Sequence, residues 1–85
     1  MKAKEMFEKL GYEICKEDDC ILEHKRENDK YWTNYVTFAK FRNYYIVTSR
    51  NKLYNEIPSL ILPNVHQAIH QQMKELGWLD EQEQF

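Results

Sequence analysis

Cysteine and histidine in the first third of the chain have the spacing closest to metal or redox chemistry. Cys15, Cys20 and His24 form a Cys-x4-Cys-x3-His pattern, which is loosely like a zinc site. Structural zinc needs four convergent ligands, and no fourth is evident, so we expect neither a metal nor a cofactor. Because side chains alternate along a strand, the two thiols are predicted to lie on opposite faces of a hairpin, reduced and unpaired, with Cys20 in the core.

A histidine pair occurs near the C-terminus. His66 and His70 have the i, i+4 spacing that can hold a metal on one helix face. The intervening Gln-Ala-Ile lacks the glutamate of zinc proteases, and no third ligand is evident. The pair is therefore interpreted as two solvent-exposed histidines.

Catalytic groups are equally sparse. A nucleophile needs a neighbouring base and an orienting acid, but Ser49 and Ser59 have no recognisable flanking motif. Asp18 and Asp19 lie in a predicted turn, where acids commonly form the turn itself. Two glycines are too few for a phosphate-binding loop. We therefore expect no enzymatic activity.

The middle of the chain carries the strongest binding signal. Residues 31–55 contain four basic side chains, no acidic ones and eight of the twelve aromatic residues, although the whole chain has a net charge of -2. Aromatic side chains beside Lys and Arg can hold single-stranded nucleic acid. Four cations are few for that role, and tyrosine is also enriched at protein interfaces. The candidate binding residues are Tyr31, Thr33, Tyr35, Thr37, Lys40, Arg42, Arg50 and Lys52.

Two helices are predicted to frame this segment. Gly11 and Gly77 each follow a helical pattern, and glycine takes the left-handed conformation that ends many helices. The first helix is predicted over residues 2–10. The second begins near Pro63, a residue favoured in the first turn, and its apolar face contains Gln72 as its only polar member.

Between the helices the apolar period changes to two, which predicts strands at 12–16, 20–25, 31–38 and 44–49. Short polar links predict antiparallel pairing. The segment 50–62 fits either a short edge strand or a crossover.

These elements predict an α+β fold, a two-layer sandwich of helix, four-stranded antiparallel meander and helix, with both helices on one sheet face. The opposite face is left uncovered and carries Tyr31, Thr33, Tyr35 and Thr37. The residues predicted to point inward are Tyr12, Ile14, Cys20, Leu22, Trp32, Val36, Phe38 and either Ile46 or Val47.

A chain of 85 residues is expected to form one domain, over residues 1–79, followed by a frayed acidic tail at 80–85. About 64% of the unfolded surface can be buried at this size, which supports one small core and makes an enclosed active site hard to fit. No run approaches the roughly 18 apolar residues of a membrane span. The N-terminus has no apolar signal-peptide region, so we expect a cytoplasmic protein.

Three segments carry a family resemblance. "AKEMFEKLGYE" at 3–13, "KYWTNYVTF" at 30–38 and "QAIHQQMKELGWL" at 67–79 resemble small uncharacterised proteins encoded by phages and prophages of Gram-positive bacteria. The sequence departs at the second helix start, where "LILPNVH" replaces threonine followed by acidic residues. The resemblance implies a compact α+β protein of mobile-element origin in a bacterial cytoplasm, and it supplies no catalytic or binding residues.

The leading interpretation is a non-enzymatic interaction module that binds a protein partner or a second copy of itself through the uncovered sheet face. The alternative is a protein that binds single-stranded RNA or DNA through the same face.

Overall fold

The structure, a computed structural model, describes residues 1–53 and 55–79 and contains two helices and a five-stranded antiparallel sheet. The sheet order is β1-β2-β3-β4-β5, so each strand pairs with its neighbour in sequence. A three-residue fifth strand extends the predicted four-stranded meander, within the segment that the sequence left open. The predicted tail at 80–85 lies outside the described residues. The elements are α1 (Ala3–Lys9), β1 (Glu13–Glu17), β2 (Ile21–Glu27), β3 (Trp32–Ala39), β4 (Tyr44–Asn51), β5 (Glu56–Pro58) and α2 (Pro63–Glu75).

Both helices end as their glycines predict. Gly11 and Gly77 have φ angles of 90° and 76°. After α1, the Tyr12 N–H donates to the Phe7 carbonyl at 2.9 Å, and after α2 the Trp78 N–H donates to the Met73 carbonyl at 3.0 Å. A bond that reaches back five residues over a left-handed glycine is the Schellman motif. The next residue thereby folds back onto each helix.

The hydrophobic core lies against one face of the sheet, which we call the inner face. Leu22, Val36 and Phe38 project from it and are buried, while Thr33 and Tyr35 project from the opposite, outer face. Residues of both helices pack in the same cluster as the three inner-face residues. The helical members of that cluster are Ala3, Phe7, Val65, Ala68 and Ile69.

A polar pair is enclosed in this core. His24 of β2 is 1% exposed and stacks on the Phe7 ring, with 3.9 Å between the ring centroids. Its Nε2 lies 3.2 Å from the Gln72 Oε1 of α2. The one polar residue on the apolar face of α2 therefore has a buried partner, as buried polar groups generally require.

The start of α1 and the end of α2 are joined directly. The Ala3 N–H donates to the Glu75 carboxylate at 2.7 Å, across 72 residues of sequence. The first amides of a helix have no partner within it, so this carboxylate satisfies one of them.

Two predicted core residues, Cys20 and Trp32, lie outside the core cluster, and one ambiguity is resolved. Cys20 is exposed rather than buried, because the Asp18 carboxylate accepts its N–H and that of Ile21 at 2.8 Å each. These bonds form a turn that ends where β2 begins. On β4, Val47 packs against the core, whereas Ile46 is exposed on the outer face.

In the described part of the chain, neither helix has the length and apolar character needed to cross a membrane.

Candidate functional site

The predicted row of outer-face residues is only partly available for binding. Tyr31 precedes β3 in a turn closed by the Asp29 carboxylate, and its ring is exposed. Thr33, Tyr35 and Thr37 lie on the outer face of β3 and are half-buried. The Thr37 hydroxyl donates to the Glu23 carboxylate at 2.6 Å, so its polar group is already engaged.

Arg50 covers the central tyrosine of the row. Its guanidinium carbon lies 4.3 Å from the centroid of the Tyr35 ring. Its Nε donates to the Glu56 carboxylate at 2.7 Å, and this hydrogen bond raises the pKa of the guanidinium further above its ordinary value. The charge of Arg50 is therefore paired within the sheet.

Five of the eight candidate residues line one concavity of about 430 Å³ at the end of the sheet where β3 begins. Two acidic side chains, Glu27 and Asp29, stand in the same wall as its cations. The concavity is therefore of mixed charge. Its lining residues among the candidates are Tyr31, Thr33, Tyr35, Arg50 and Lys52.

Lys40 and Arg42 lie at the opposite end of the sheet, in the turn between β3 and β4. The Lys40 ammonium donates to the Asp18 carbonyl at 2.7 Å and lies 3.9 Å from the Glu17 carboxylate. The eight candidates are thus divided between two ends of the sheet and do not form one basic surface.

The thiol of Cys15 is poorly suited to nucleophilic chemistry. It donates to the Glu23 carboxylate at 3.2 Å. Burial and this carboxylate raise the pKa of the Cys15 thiol from 9.0 to about 11. Because the thiolate is the nucleophile, Cys15 carries little of the reactive form at neutral pH.

The histidine pair on α2 is exposed to solvent, as the lack of a glutamate between them and of a third ligand led us to expect. Within residues 1–53 and 55–79, no three side chains of His, Cys, Asp or Glu are grouped so that they could hold a metal ion.

The sequence did not reveal a cluster of apolar residues at the Lys40 end of the outer face. Phe41 in the β3–β4 turn is 77% exposed, and Tyr44 and Ile46 on β4 are 47% and 44% exposed. Ile21 and Ala39 stand beside Tyr44 in adjacent strands. We call this cluster the apolar corner; its members are Ile21, Ala39, Phe41, Tyr44 and Ile46.

A small cavity of about 230 Å³ opens among most of these side chains, and Arg42 lies at its rim. The sequence did not predict the apolar corner for two reasons. Phe41 occurs in a polar turn that predicts no surface role, and the strand pattern allowed Ile46 to point inward.

Comparison of the chain with protein-family models, with curated proteins and with solved structures finds no match. A binding function must therefore be inferred from the residues at the two ends of the outer face.

Proposed function

We propose that this protein is a non-enzymatic interaction module that binds a protein surface through the outer face of its sheet, with the apolar corner as the main contact. The proposal takes both helices to lie on the inner face, which their shared core cluster supports. It also includes a cytoplasmic location and the phage or prophage origin that the resemblance implies.

The observation that carries the proposal is the exposure of neighbouring large apolar side chains. Phe41, Tyr44 and Ile46 remain accessible to solvent, although other apolar residues of the chain are completely buried. Contiguous exposed apolar residues mark interaction sites on soluble proteins. Aromatic residues with an adjacent arginine, here Arg42, are the types enriched at protein interfaces.

The corner is better suited to this role than the row that the sequence predicted. Tyr35 is covered by Arg50, and Thr37 is bonded to Glu23. A partner would have to displace these contacts to reach the row. The apolar side chains of the corner need only lose water.

Replacing Phe41 and Ile46 together by Asp tests the proposal, with Tyr31→Asp at the other end of the outer face as the matched control. Wild type and both variants are captured from producing bacterial cells, and the co-purifying proteins are quantified. We expect proteins that are retained by the control and lost from the corner variant. Identical sets for all three, together with identical sedimentation masses and unchanged circular dichroism, would show that the corner is not a binding surface.

The concavity supports a second candidate function, the binding of single-stranded nucleic acid. Tyr31, Lys30 and Lys52 all line it, with the Lys30 ammonium 5.3 Å from the centroid of the Tyr31 ring, so a base that displaces Lys30 could stack on the ring while the cations contact phosphate. Titration of oligothymidine and oligouridine at 20 and 200 mM salt tests this function. We expect affinity that falls with salt and is lost in Lys52→Glu but kept in Arg42→Glu. Absence of binding at low salt removes this candidate.

A further inference from the structure

A cavity of about 320 Å³ opens on the inner face of the sheet, at the end where β3 begins. Asn34 of β3 and Ser49 of β4 are its most deeply buried lining residues, each 8% exposed, and they form its floor. None of the described residues that line the cavity carries a charge. Sites for small molecules are cavities of this kind, mainly apolar with a few placed polar groups, and this volume lies at the lower end of their range.

The polar floor interrupts an otherwise apolar face. The next pair of facing residues along the same two strands is Val36 and Val47, which belong to or pack against the core cluster. Asn34 and Ser49 are paired in the same way, one step towards the end of the sheet. Apolar residues of similar shape can replace a buried hydrogen-bonded pair with little loss of stability. Stability alone therefore does not account for the polarity of the floor.

Arg26 determines which atoms the floor presents. A guanidinium only donates, and the Nε and Nη2 of Arg26 donate to the Asn28 Oδ1 at 3.3 and 2.9 Å. The Asn28 Nδ2 donates to the Asn34 Oδ1 at 2.9 Å, and the Asn34 Nδ2 donates back to the Asn28 Oδ1 at 3.0 Å. The Ser49 hydroxyl donates to the same Asn34 oxygen at 2.6 Å. One arginine thus orients both amides and the hydroxyl.

This arrangement leaves hydrogen-bonding capacity among the described residues. Each side-chain amide nitrogen carries two hydrogens, and those of Asn28 and Asn34 use one each in the bonds between them. The Ser49 oxygen, whose hydrogen is directed at Asn34, keeps its lone pairs as acceptors. The floor therefore offers N–H donors beside a hydroxyl acceptor. The complementary group is one that carries a C=O next to an N–H.

We propose that this cavity binds a small neutral carboxamide with a branched apolar body. The carboxamide oxygen accepts from the remaining amide hydrogens of Asn28 and Asn34, and its N–H donates to the Ser49 oxygen. The site lies on the inner face, away from the apolar corner, so it goes beyond the proposed function and does not depend on it.

The rim of the cavity fits an apolar body. Ile57 pairs with Ser49 across the β4–β5 ladder and is 49% exposed. Leu60 and Leu62, in the segment that leads to α2, are 87% and 52% exposed and line the same cavity. A ligand seated on the polar floor covers these side chains, and the removal of apolar surface from water favours binding.

The ligand is neutral because the cavity supplies no charge to pair with an ion. The guanidinium of Arg26 does not line the cavity and is bonded to Asn28 and to the Leu10 carbonyl. A carboxylate of the same shape would lose its hydration without gaining a cation, and it has no hydrogen to donate to Ser49. An amide should therefore bind more tightly than the corresponding acid.

Nuclear magnetic resonance titration of the wild-type chain with 4-methylpentanamide and with 4-methylpentanoate, at neutral pH, is the first test. For the amide we expect a Kd on the order of 1 mM, as suits so small a ligand. The side-chain amide signals of Asn28 and Asn34 and the backbone amide of Leu60 should shift together, whereas Thr33 on the outer face should not. The carboxylate should bind roughly tenfold more weakly or less.

Two substitutions separate the floor from the rim. Ser49→Ala removes the acceptor, while Asn34 still accepts from Asn28, so it should weaken binding of the amide about fivefold or more and leave that of the carboxylate unchanged. Leu60→Ser, at a highly exposed position where folding is not at risk, should weaken both ligands by the same factor. Thr33→Ala is the matched control and should bind both as the wild type does.

Three results would overturn the inference. The first is an absence of shifts in the Asn28 and Asn34 side-chain amides up to about 20 mM amide. The second is equal binding of the amide and the carboxylate. The third is a folded Ser49→Ala variant that keeps the preference for the amide. The corner variant should bind the amide normally, so failure of this inference and failure of the proposed function are distinguishable.

Discussion

The inner and outer faces of the sheet are formed by the same strands but use their side chains differently. On the inner face, Val36 and Phe38 are completely buried against Phe7 of α1, and the one buried histidine has an amide partner. On the outer face, polar groups form local pairs such as Arg50 with Glu56, and apolar side chains remain in contact with water. We therefore expect substitutions on the inner face to lower the free energy of unfolding more than substitutions on the outer face.

The largest expected difference in stability is between two phenylalanines, one packed against the inner face and one exposed in the β3–β4 turn. Phe7→Ala removes a fully buried ring that contacts His24, Tyr12 and Phe38, and should lower the free energy of unfolding by about 3–5 kcal/mol. Phe41→Ala, on the exposed turn, should change it by less than about 0.5 kcal/mol. Urea denaturation of both variants measures the difference. Equal losses would mean that Phe41 is part of the core.

Acid should lower the free energy of unfolding through His24, which is buried against the inner face. Burial lowers the pKa of His24 below its ordinary 6.5, so the folded chain holds it neutral while the unfolded chain takes up a proton. Its stabilising effect is therefore complete above about pH 6.5 and is lost as the pH falls towards the lowered pKa. The free energy of unfolding should therefore fall as the pH is lowered from 7 to 5, through the uptake of at most one proton by His24 on unfolding.

Denaturation at several pH values measures this loss in the wild type and in His66→Gln/His70→Gln, which keeps His24. Both should show the same dependence. If the double variant abolishes it, the exposed histidines are responsible.

One substitution on the outer face should stabilise the folded chain. The hydroxyl of Thr48 is buried and has no hydrogen-bond partner among the described residues. Thr48→Val keeps the shape and removes the unpaired group, and should raise the free energy of unfolding by about 1 kcal/mol. Thr37→Val removes a hydroxyl that donates to Glu23 and should lower it by about as much. Thermal denaturation of the pair should show opposite signs; a loss in both would indicate that Thr48 has a partner.

The smallest effect is expected at the ion pairs of the outer face. Glu56→Gln breaks the pair with Arg50, in which both side chains are well exposed. Such pairs contribute less than about 1 kcal/mol, and the loss should shrink in 0.5 M salt. A loss of several kcal/mol that does not depend on salt would place Arg50 among the residues that hold the fold together.

The parts of the fold that depend on local rules were predicted well. Gly11 and Gly77 mark the helix ends because a helix C-cap depends only on the glycine and on the helical turn before it. The four long strands follow from the period of two and agree with the structure to within one or two residues. β5 lies in the segment 50–62, which was left open between a short edge strand and a crossover because three residues are too few to show a period.

The features that depend on distant contacts were not predictable. His24 was considered as a zinc ligand, but its environment is set by Phe7 and by Gln72, which is 48 residues away. Cys20 is a local error instead: it was placed in the core because alternation was extended past the point where Asp18, two residues away, closes the turn. The binding residues were named by type, and the sequence could not show that Lys40 and Lys52 lie at opposite ends of the sheet.

The packing of α1 against α2 also bears on when this protein can complete its fold during synthesis. At roughly 5–20 residues per second, α1 is made several seconds before the α2 helix that it contacts. Until α2 follows, Phe7 has only part of its final surroundings. Folding must therefore wait for nearly the whole chain, and a product that stops short of Glu75 should be degraded rather than accumulate as a smaller domain.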